Sequence, residues 1–266
     1  MKEYLLDLVL KQSGYNAKFN AMREYLQAYT LRIMHAEGLF RATAFLGGTA
    51  LRFLYNLPRF SEDLDFSLVN KEEHQFSALI KKVKEELFLA GYNVAATCDE
   101  GKTVCNSFIK FEGLMYEAGL SPLKSQKFSI KIEIDTNPPA GAVLKTDIIN
   151  KYFPIAFLSY DLPSLFSGKT HALLSRKYTK GRDFFDLGWY LSKWKDLAPN
   201  FTLLENALKQ TGWQKEIPSE KTWKKIIAGV VQEVDWKKVK QDVENFLENP
   251  RDLEIFTREN ILKLLE

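Results

Sequence analysis

The sequence is short of cysteine, of long apolar runs and of excess charge of either sign. Its 266 residues include two cysteines, Cys98 and Cys105, whose spacing matches no metal-ligand pattern. This excludes a disulfide framework and is typical of reduced thiols. No run of about 18 apolar residues occurs, and the first residues, MKEYLLDLVLKQ, carry acids inside their apolar pattern, unlike a secretory signal. We therefore expect a cytoplasmic protein with no membrane contact.

The composition supports a substantial folded core. Hydrophobic residues make up 45% of the chain and aromatic residues 13%, enough for one large domain or two modest ones. The formal net charge of +3 is too small to require nucleic acid as a partner, but it allows a local basic surface.

The most informative stretch covers residues 45–68, FLGGTALRFLYNLPRFSEDLDFSL. An apolar strand runs into Gly47 and Gly48, and a short helix begins near Thr49. Glycine lets the backbone turn sharply and approach a phosphate, and the N–H groups at a helix N-terminus can bind that phosphate. The pattern predicts a phosphate-binding turn.

Two aspartates follow this turn on a second strand. Asp63 and Asp65 are two residues apart, so on a strand both carboxylates lie on one face, while Leu64 and Phe66 lie on the other. Paired carboxylates suit Mg²⁺, which prefers oxygen ligands and is often bound by a few carboxylates together with substrate phosphates.

The order of these elements resembles the signature of the DNA polymerase β-type nucleotidyltransferases. It is more closely similar to the AbiEii/AbiGii toxin family, in which a Gly-Gly-Thr-X-Leu turn precedes Arg-X-Ser-X-Asp-hydrophobic-Asp-Phe. The matching residues are Gly47, Gly48, Thr49, Leu51, Arg59, Ser61, Asp63, Asp65 and Phe66.

The fold class expected is α+β, with a nucleotidyltransferase-type mixed sheet flanked by helices and followed by a mainly helical C-terminal half. The residue patterns predict two helices over residues 3–37, a helix over 71–90, and strands over 93–97, 103–111, 128–135 and 155–159. After residue 141 the composition shifts towards helix. We expect a nucleotidyltransferase domain at 1–150 and a helical domain at 151–266 that completes the nucleotide cleft, with the boundary between residues 138 and 162.

A third carboxylate is implied by the family resemblance, on the strand next to the aspartate pair. In the strand over 128–135, Ile130, Ile132 and Ile134 alternate with charged residues. Glu133 is the first candidate for the third metal ligand and Asp135 the second. Lys131 shares their face, where it can balance charge or contact phosphate.

A second informative stretch lies at residues 161–194. Its helix Gly-Lys-X-X-Ala-Leu, followed by Arg-Asp-X-X-Asp-Leu, also resembles the AbiEii family. The resemblance implies that Lys169 contacts the triphosphate and that Asp186 supports the active site, with Asp183 as the rival to Asp186. Arg182 and Asp186 could also form a simple i,i+4 surface pair. The strongest basic cluster of the chain lies here and consists of Lys169, Arg176, Lys177, Lys180 and Arg182.

The resemblance implies an Mg²⁺-dependent (or Mn²⁺-dependent) nucleotidyltransferase that uses a nucleoside triphosphate. Arg59 is a candidate phosphate ligand, and Ser61 either binds phosphate or caps its loop. The family further implies a toxin of a toxin-antitoxin or abortive-infection system, with tRNA 3′ ends as the acceptor and an antitoxin as a separate chain. Two alternatives stay open at this point: nucleotide transfer to a small-molecule (aminoglycoside-like) or protein hydroxyl, and a non-catalytic nucleotide-binding module.

Overall fold

The structure, a computed structural model, describes residues 1–70 and 75–266. Its contacts divide the chain into two compact units. The N-terminal unit comprises Met1–Asn56, Phe60–Asn137 and Lys145–Ser159, and the C-terminal unit comprises Leu57–Arg59, Pro138–Leu144 and Tyr160–Glu266. The first four residues of the helix predicted over 71–90 lie outside the described residues.

A seven-stranded mixed sheet forms the centre of the N-terminal unit. Its strands are β1 (Thr43–Leu46), β2 (Leu64–Leu68), β3 (Val94–Asp99), β4 (Val104–Phe111), β5 (Phe128–Asp135), β6 (Leu144–Asn150) and β7 (Pro154–Tyr160). The strand order is β3-β4-β5-β2-β1-β7-β6. The helices before and between these strands are α1 (Lys2–Leu10), α2 (Tyr15–Ala36), α3 (Leu39–Ala42), α4 (Gly47–Tyr55), α5 (Phe76–Leu89) and α6 (Leu114–Glu117). This mixed sheet confirms the predicted α+β class.

Strand β2 lies between β1, to which it is antiparallel, and β5, to which it is parallel. The pleat buries one side of β5 completely, because Ile130, Ile132 and Ile134 have no exposed surface. Lys131 and Glu133 lie on the opposite face and are half-buried. The alternation in the sequence therefore predicts this strand and its two faces correctly.

Strand β6 corrects the expectation that the chain turns helical after residue 141. It forms an edge of the sheet, and five of its seven residues are exposed. An edge strand that buries little side-chain surface needs no apolar alternation, and its sequence, LKTDIIN, shows only a weak one.

The middle of α2 is buried and includes several polar residues. Its Glu24 carboxylate accepts hydrogen bonds from Arg52 of α4 (Nε, 2.6 Å) and from Lys151 (Nζ, 2.9 Å) and Tyr152 (Oη, 3.0 Å) in the turn between β6 and β7. A buried carboxylate is stable only when its oxygens are paired in this way. The network fixes α2 against α4.

The C-terminal unit is helical, as predicted. Its helices are α7 (Leu162–Ser175), α8 (Gly181–Lys193), α9 (Phe201–Gln210), α10 (Trp223–Glu233), α11 (Trp236–Glu244), α12 (Asp252–Ile255) and α13 (Arg258–Leu265). Asp161 caps α7 by accepting a hydrogen bond from the Ser164 amide at 2.9 Å. Gly181 begins α8 directly against α11, and a Cβ there would overlap the Val239 carbonyl. Across the described ranges, no helix is both long and apolar enough to cross a membrane.

Candidate active site

The glycine turn between β1 and α4 has the geometry that its sequence predicts. Gly47 has a φ of +79°, in the left-handed region that favours glycine. A Cβ at this position would overlap the Asp65 carboxylate, so that carboxylate lies directly against the turn. Helix α4 begins at Gly47 without a side-chain cap. Its first backbone N–H groups can therefore donate hydrogen bonds to an anionic ligand.

Asp65 and Glu133 lie side by side on neighbouring parallel strands. Their Cα atoms are partners in the register of β2 and β5, and both side chains are half-buried. Lys131 shares the face and forms an ion pair with Glu133 (Nζ to Oε1, 2.7 Å). Burial tends to lower the pKa of Lys131, but Glu133, Asp63 and Asp65 outweigh it and raise this pKa above its ordinary value. The four groups are thus electrostatically linked.

The donor set on this face fits a hard divalent cation. It consists of carboxylates, and Asp65 and Glu133 occupy one register position. Within the residues described, no three acidic, histidine or cysteine side chains form a ready-made metal cage. An open pair of carboxylates is what Mg²⁺ commonly uses when substrate phosphates and water complete its shell.

Glu133 and Asp135 have different neighbours. The partner of Asp135 in the register is Ser67 rather than Asp65, and its Oδ1 accepts a hydrogen bond from the Asn137 amide at 2.9 Å. The register therefore favours Glu133 as the carboxylate next to Asp65. The choice between Glu133 and Asp135 as a ligand stays a prediction.

The loop before Asp63 is bound by side chains from two helices. The buried Thr49 hydroxyl of α4 donates a hydrogen bond to the Asp63 carbonyl. Gln27 of α2 donates to the carbonyls of Ser61 (3.1 Å) and Glu62 (2.8 Å). Thr49 can thus bind phosphate only through its backbone in this arrangement. Sequence reasoning missed Gln27, because it shares a helical spacing with other polar residues of α2, such as Glu24, and so gives no local signal of burial.

The C-terminal unit contains a buried charge cluster. Lys169 of α7 contacts two carboxylates of α8, those of Asp183 (3.1 Å) and Asp186 (2.7 Å). Asp183 also pairs with Arg176 (3.1 Å), and Asp186 pairs with Arg59. Both aspartates are almost fully buried. The cluster brings together Lys169, Asp183 and Asp186, all three of which are candidates from the family resemblance.

Arg59 is bound by Asp186 through two parallel hydrogen bonds. Its Nε and Nη2 each donate to one carboxylate oxygen at 2.6 Å, and its side chain is 2% exposed. Burial alone would raise the pKa of Asp186, but Arg59 and Lys169 outweigh it and lower this pKa below its ordinary value. Two of the three guanidinium nitrogens of Arg59 donate to Asp186 rather than to the predicted phosphate. Its observed contacts favour support of Asp186 instead.

Arg182 does not form the i,i+4 surface pair with Asp186, because Asp186 is fully buried and paired elsewhere. Its guanidinium lies over the Phe246 ring (4.0 Å) and near Asp242 (3.8 Å). A polar cavity of about 270 Å³ lies beside the start of α8, and its cationic lining residues are Arg176, Lys177, Lys180 and Lys215. Two acids, Asp183 and Glu233, also line it. Four cations against two acids leave the cavity with an excess of positive charge.

Comparison with known proteins gives a family and a fold. A family model described as "Nucleotidyl transferase AbiEii toxin, Type IV TA system" matches residues 31–258. The chain is similar in structure to MenT4, a nucleotidyltransferase toxin from Mycobacterium tuberculosis H37Rv, with a TM-score of 0.62, 15% identity, and coverage of 100% of this chain and 89% of that chain. It is also similar to JHP933 from Helicobacter pylori, with a TM-score of 0.56, 20% identity, and coverage of 91% and 90%. Among curated proteins, none matches.

Proposed function

The chain belongs to the AbiEii nucleotidyl transferase toxin family of type IV toxin-antitoxin systems, and we propose that it transfers a nucleoside monophosphate from a nucleoside triphosphate to the 3′ end of a tRNA, with Mg²⁺ as the metal. The family implies a nucleoside triphosphate substrate and an antitoxin partner. The observation that carries the proposal is the position of Asp65, which lies both against the glycine turn and beside Glu133.

The N-terminal unit supplies the groups for metal and phosphate binding. Asp63, Asp65 and Glu133 would hold Mg²⁺, which when bound supplies charge neutralisation and activation of the acceptor hydroxyl. The backbone N–H groups of Gly47, Gly48 and Thr49 bind the triphosphate. The hydroxyl oxygen then bonds to the α-phosphorus and loses its proton to solvent as the bond to the β-phosphate breaks, and pyrophosphate leaves. The protein contributes placement and electrostatic stabilisation and forms no covalent intermediate.

Lys169 provides positive charge for the triphosphate. An ammonium group has three N–H donors, and two of them are directed at Asp183 and Asp186. The third can bind a phosphate oxygen. Asp186 orients Lys169, and Arg59 in turn keeps Asp186 ionised. Ser61 binds phosphate or caps its loop through its hydroxyl.

The acceptor is an RNA in this proposal because of the charge in the C-terminal unit. The cavity lined by Arg176, Lys177, Lys180 and Lys215 carries excess positive charge, as binding of a nucleic-acid backbone requires. A small-molecule acceptor does not require these cations.

The decisive experiment incubates the protein with Mg²⁺, each labelled nucleoside triphosphate in turn and total RNA, and then sequences the RNA 3′ ends. Asp63→Asn and Asp65→Asn should each abolish labelling while keeping side-chain shape. Asp99→Asn is the matched control, because Asp99 lies on β3 and pairs with Lys102 at the surface. Parallel reactions with total protein and with aminoglycosides test the other acceptors.

Each result has a defined meaning. Label in tRNA 3′ ends that depends on Asp63 and Asp65 supports the proposal. Label in protein or aminoglycoside keeps the enzyme class and replaces the acceptor. Equal labelling by the wild type and the Asp63→Asn variant would show that the aspartates are not the metal ligands. Tight binding of nucleotide without any transfer would favour a binding module.

A further inference from the structure

We propose that Gln27 is a positioning residue that fixes the metal-binding Asp63 through the loop before it. The inference rests on the proposed function, in which Asp63 is a metal ligand. Gln27 lies in α2 and is 1% exposed. Its side-chain amide donates hydrogen bonds to the backbone carbonyls of Ser61 and Glu62, at 3.1 and 2.8 Å.

The loop needs this support because the sheet does not provide it. Residues 60–63 have no regular secondary structure, and the paired register of β2 with β5 begins at Leu64. Asp65 is held by its strand neighbours on both sides, Leu46 and Glu133. Asp63 precedes the ladder, so its orientation depends on contacts made by the loop.

Three consecutive carbonyls of the loop accept hydrogen bonds from side chains. The Gln27 amide donates hydrogen bonds to the carbonyls of Ser61 and Glu62, and the Thr49 hydroxyl donates one to the carbonyl of Asp63. Both N–H donors of the Gln27 amide are therefore used, which accounts for a buried amide in the middle of a helix. These bonds fix the two peptide planes before Asp63 and the one after it.

The two donor residues, Gln27 and Thr49, belong to helices α2 and α4, which are bound to each other by an ion pair. Glu24, one turn before Gln27 on α2, binds Arg52, which lies three residues after Thr49 on α4. Arg23 of α2 also pairs with the Glu62 carboxylate at 3.3 Å. The loop is thus bound by a rigid pair of helices, and removal of one donor should loosen Asp63 without unfolding α2.

The test uses two substitutions that remove the donors and keep the side-chain size. Gln27→Met replaces the amide by an apolar group, and Gln27→Glu keeps the shape but offers no N–H at neutral pH. Thr30→Val is the matched control: it lies on the same helix and is fully buried, and among the described residues its hydroxyl has no hydrogen-bond partner. Circular dichroism checks that all three variants fold.

Metal binding is measured directly, by titration of the nucleotide-free protein with Mn²⁺ followed by electron paramagnetic resonance. Loss of a residue that orients a metal ligand typically weakens metal binding by about 10-fold to 100-fold. We expect at least about 10-fold weaker Mn²⁺ binding in both Gln27 variants and wild-type binding in Thr30→Val. Amide hydrogen exchange at residues 61–65 should be faster in the Gln27 variants. Their transfer reaction should need more Mg²⁺ for half-maximal rate.

The outcomes separate this inference from the function on which it rests. If the wild type transfers nucleotide and the Gln27 variants bind Mn²⁺ as tightly as it does, the inference is wrong and the proposed function stands. An equal loss of Mn²⁺ binding in Thr30→Val would also overturn the inference, because the loss would then reflect the packing of α2. If the wild type neither binds Mn²⁺ nor transfers nucleotide, the proposed function is wrong. The role proposed for Gln27 is then wrong as well, because it depends on that function.

Discussion

Asp186 is a charged residue without access to solvent. Its carboxylate is bound by Arg59 through two hydrogen bonds and by Lys169. Removal of one member of such a pair leaves the other charge buried without compensation and typically costs about 3–5 kcal/mol. We expect Asp186→Asn to lower the free energy of unfolding by this amount, measured by urea denaturation, because Arg59 is then left beside a neutral amide.

Two further variants identify the cause of that loss. The double variant Arg59→Met with Asp186→Asn should be more stable than Asp186→Asn alone, since it also removes the buried guanidinium whose charged partner Asp186 has been neutralised. Glu205→Gln, which breaks the exposed pair of Glu205 with Lys209, should change stability little. If Asp186→Asn is as stable as the wild type, the buried pair is not the stabilising feature that its geometry indicates.

Lys180 makes stability rise with pH, as a paired acid does, but in the alkaline rather than the acidic range. Burial lowers its pKa below the ordinary 10.5, and Arg182 and Arg176 lower it further. The unfolded chain therefore binds this proton more tightly, so the charged amine costs stability below the folded pKa, and the cost disappears as the pH rises towards 10.5.

Lys180→Met should consequently be more stable than the wild type at pH 7. This advantage should shrink as the pH approaches 10.5, and urea midpoints at pH 7, 9 and 10.5 measure it. Lys237→Met, at an exposed position of α11, is the control and should show no such trend. A stabilisation that is independent of pH would come from apolar packing and would contradict the electrostatic explanation. In the proposed function the same variant also binds RNA more weakly.

At the scale of elements, the turn from β1 into α4 leaves no room for a side chain at Gly47. Gly47→Ala places a side chain at a φ of +79°, which costs about 1–2 kcal/mol, and its Cβ would overlap the Asp65 carboxylate. A displacement of about 1 Å in an active site can reduce a rate on the order of 100-fold. We expect nucleotide transfer to fall by this factor, measured with the labelled-RNA assay.

Gly212→Ala separates the two effects of that substitution. Gly212 has a similar φ of +76°, but among the described residues, its chain neighbours aside, no atom lies within 4 Å of the position of its added Cβ. It should lose stability through backbone strain and keep transfer activity. Equal activity losses in the two variants would indicate that global stability, rather than the position of Asp65, determines the rate.

Elements with a strong period could be predicted from sequence, and the edge strand β6, whose period is weak, could not. The apolar residues Ile130, Ile132 and Ile134 identify β5 because the pleat puts every second side chain in the core. Strand β6 has no such signal, since most of its residues are exposed. The Asp161 cap and Gly47 turn were also predictable, because their chemistry is local.

The contacts around the candidate site were harder to predict from the sequence, because they join residues that are far apart in the chain. Arg59 and Asp186 are 127 residues apart, and the sequence around Arg59 is compatible with a guanidinium in solvent or against a buried carboxylate. Gln27 and Glu24 have the spacing of a solvent-facing helix side, although both are buried. The catalytic roles of Asp63, Asp65, Glu133, Lys169 and Asp186 stay predictions.

At the scale of the whole molecule, the C-terminal unit is discontinuous in sequence. It contains Leu57–Arg59 and Pro138–Leu144 in addition to Tyr160–Glu266. The segment Pro138–Leu144 is hydrogen bonded to its helices: the Gly141 carbonyl accepts from Asn200 (2.8 Å), and the Val143 amide donates to Ser164 (3.0 Å). A division of the chain at residue 150 would remove both short segments from the helical part.

We therefore expect the fragment 151–266 to fold poorly, because it lacks Arg59 and the segment 138–144. The fragment 138–266 regains the bonds to Asn200 and Ser164 but still leaves Asp186 without Arg59, so its thermal midpoint should lie between that of 151–266 and that of the full chain. Circular dichroism melting curves of the three proteins measure this order. In the full chain, Asp186→Asn should lower the midpoint, whereas in 138–266 it should lower it much less, because that fragment does not contain Arg59, the cation that the substitution deprives of Asp186. A cooperative transition of 151–266 at the temperature of the full chain would mean that these short segments do not stabilise the helices.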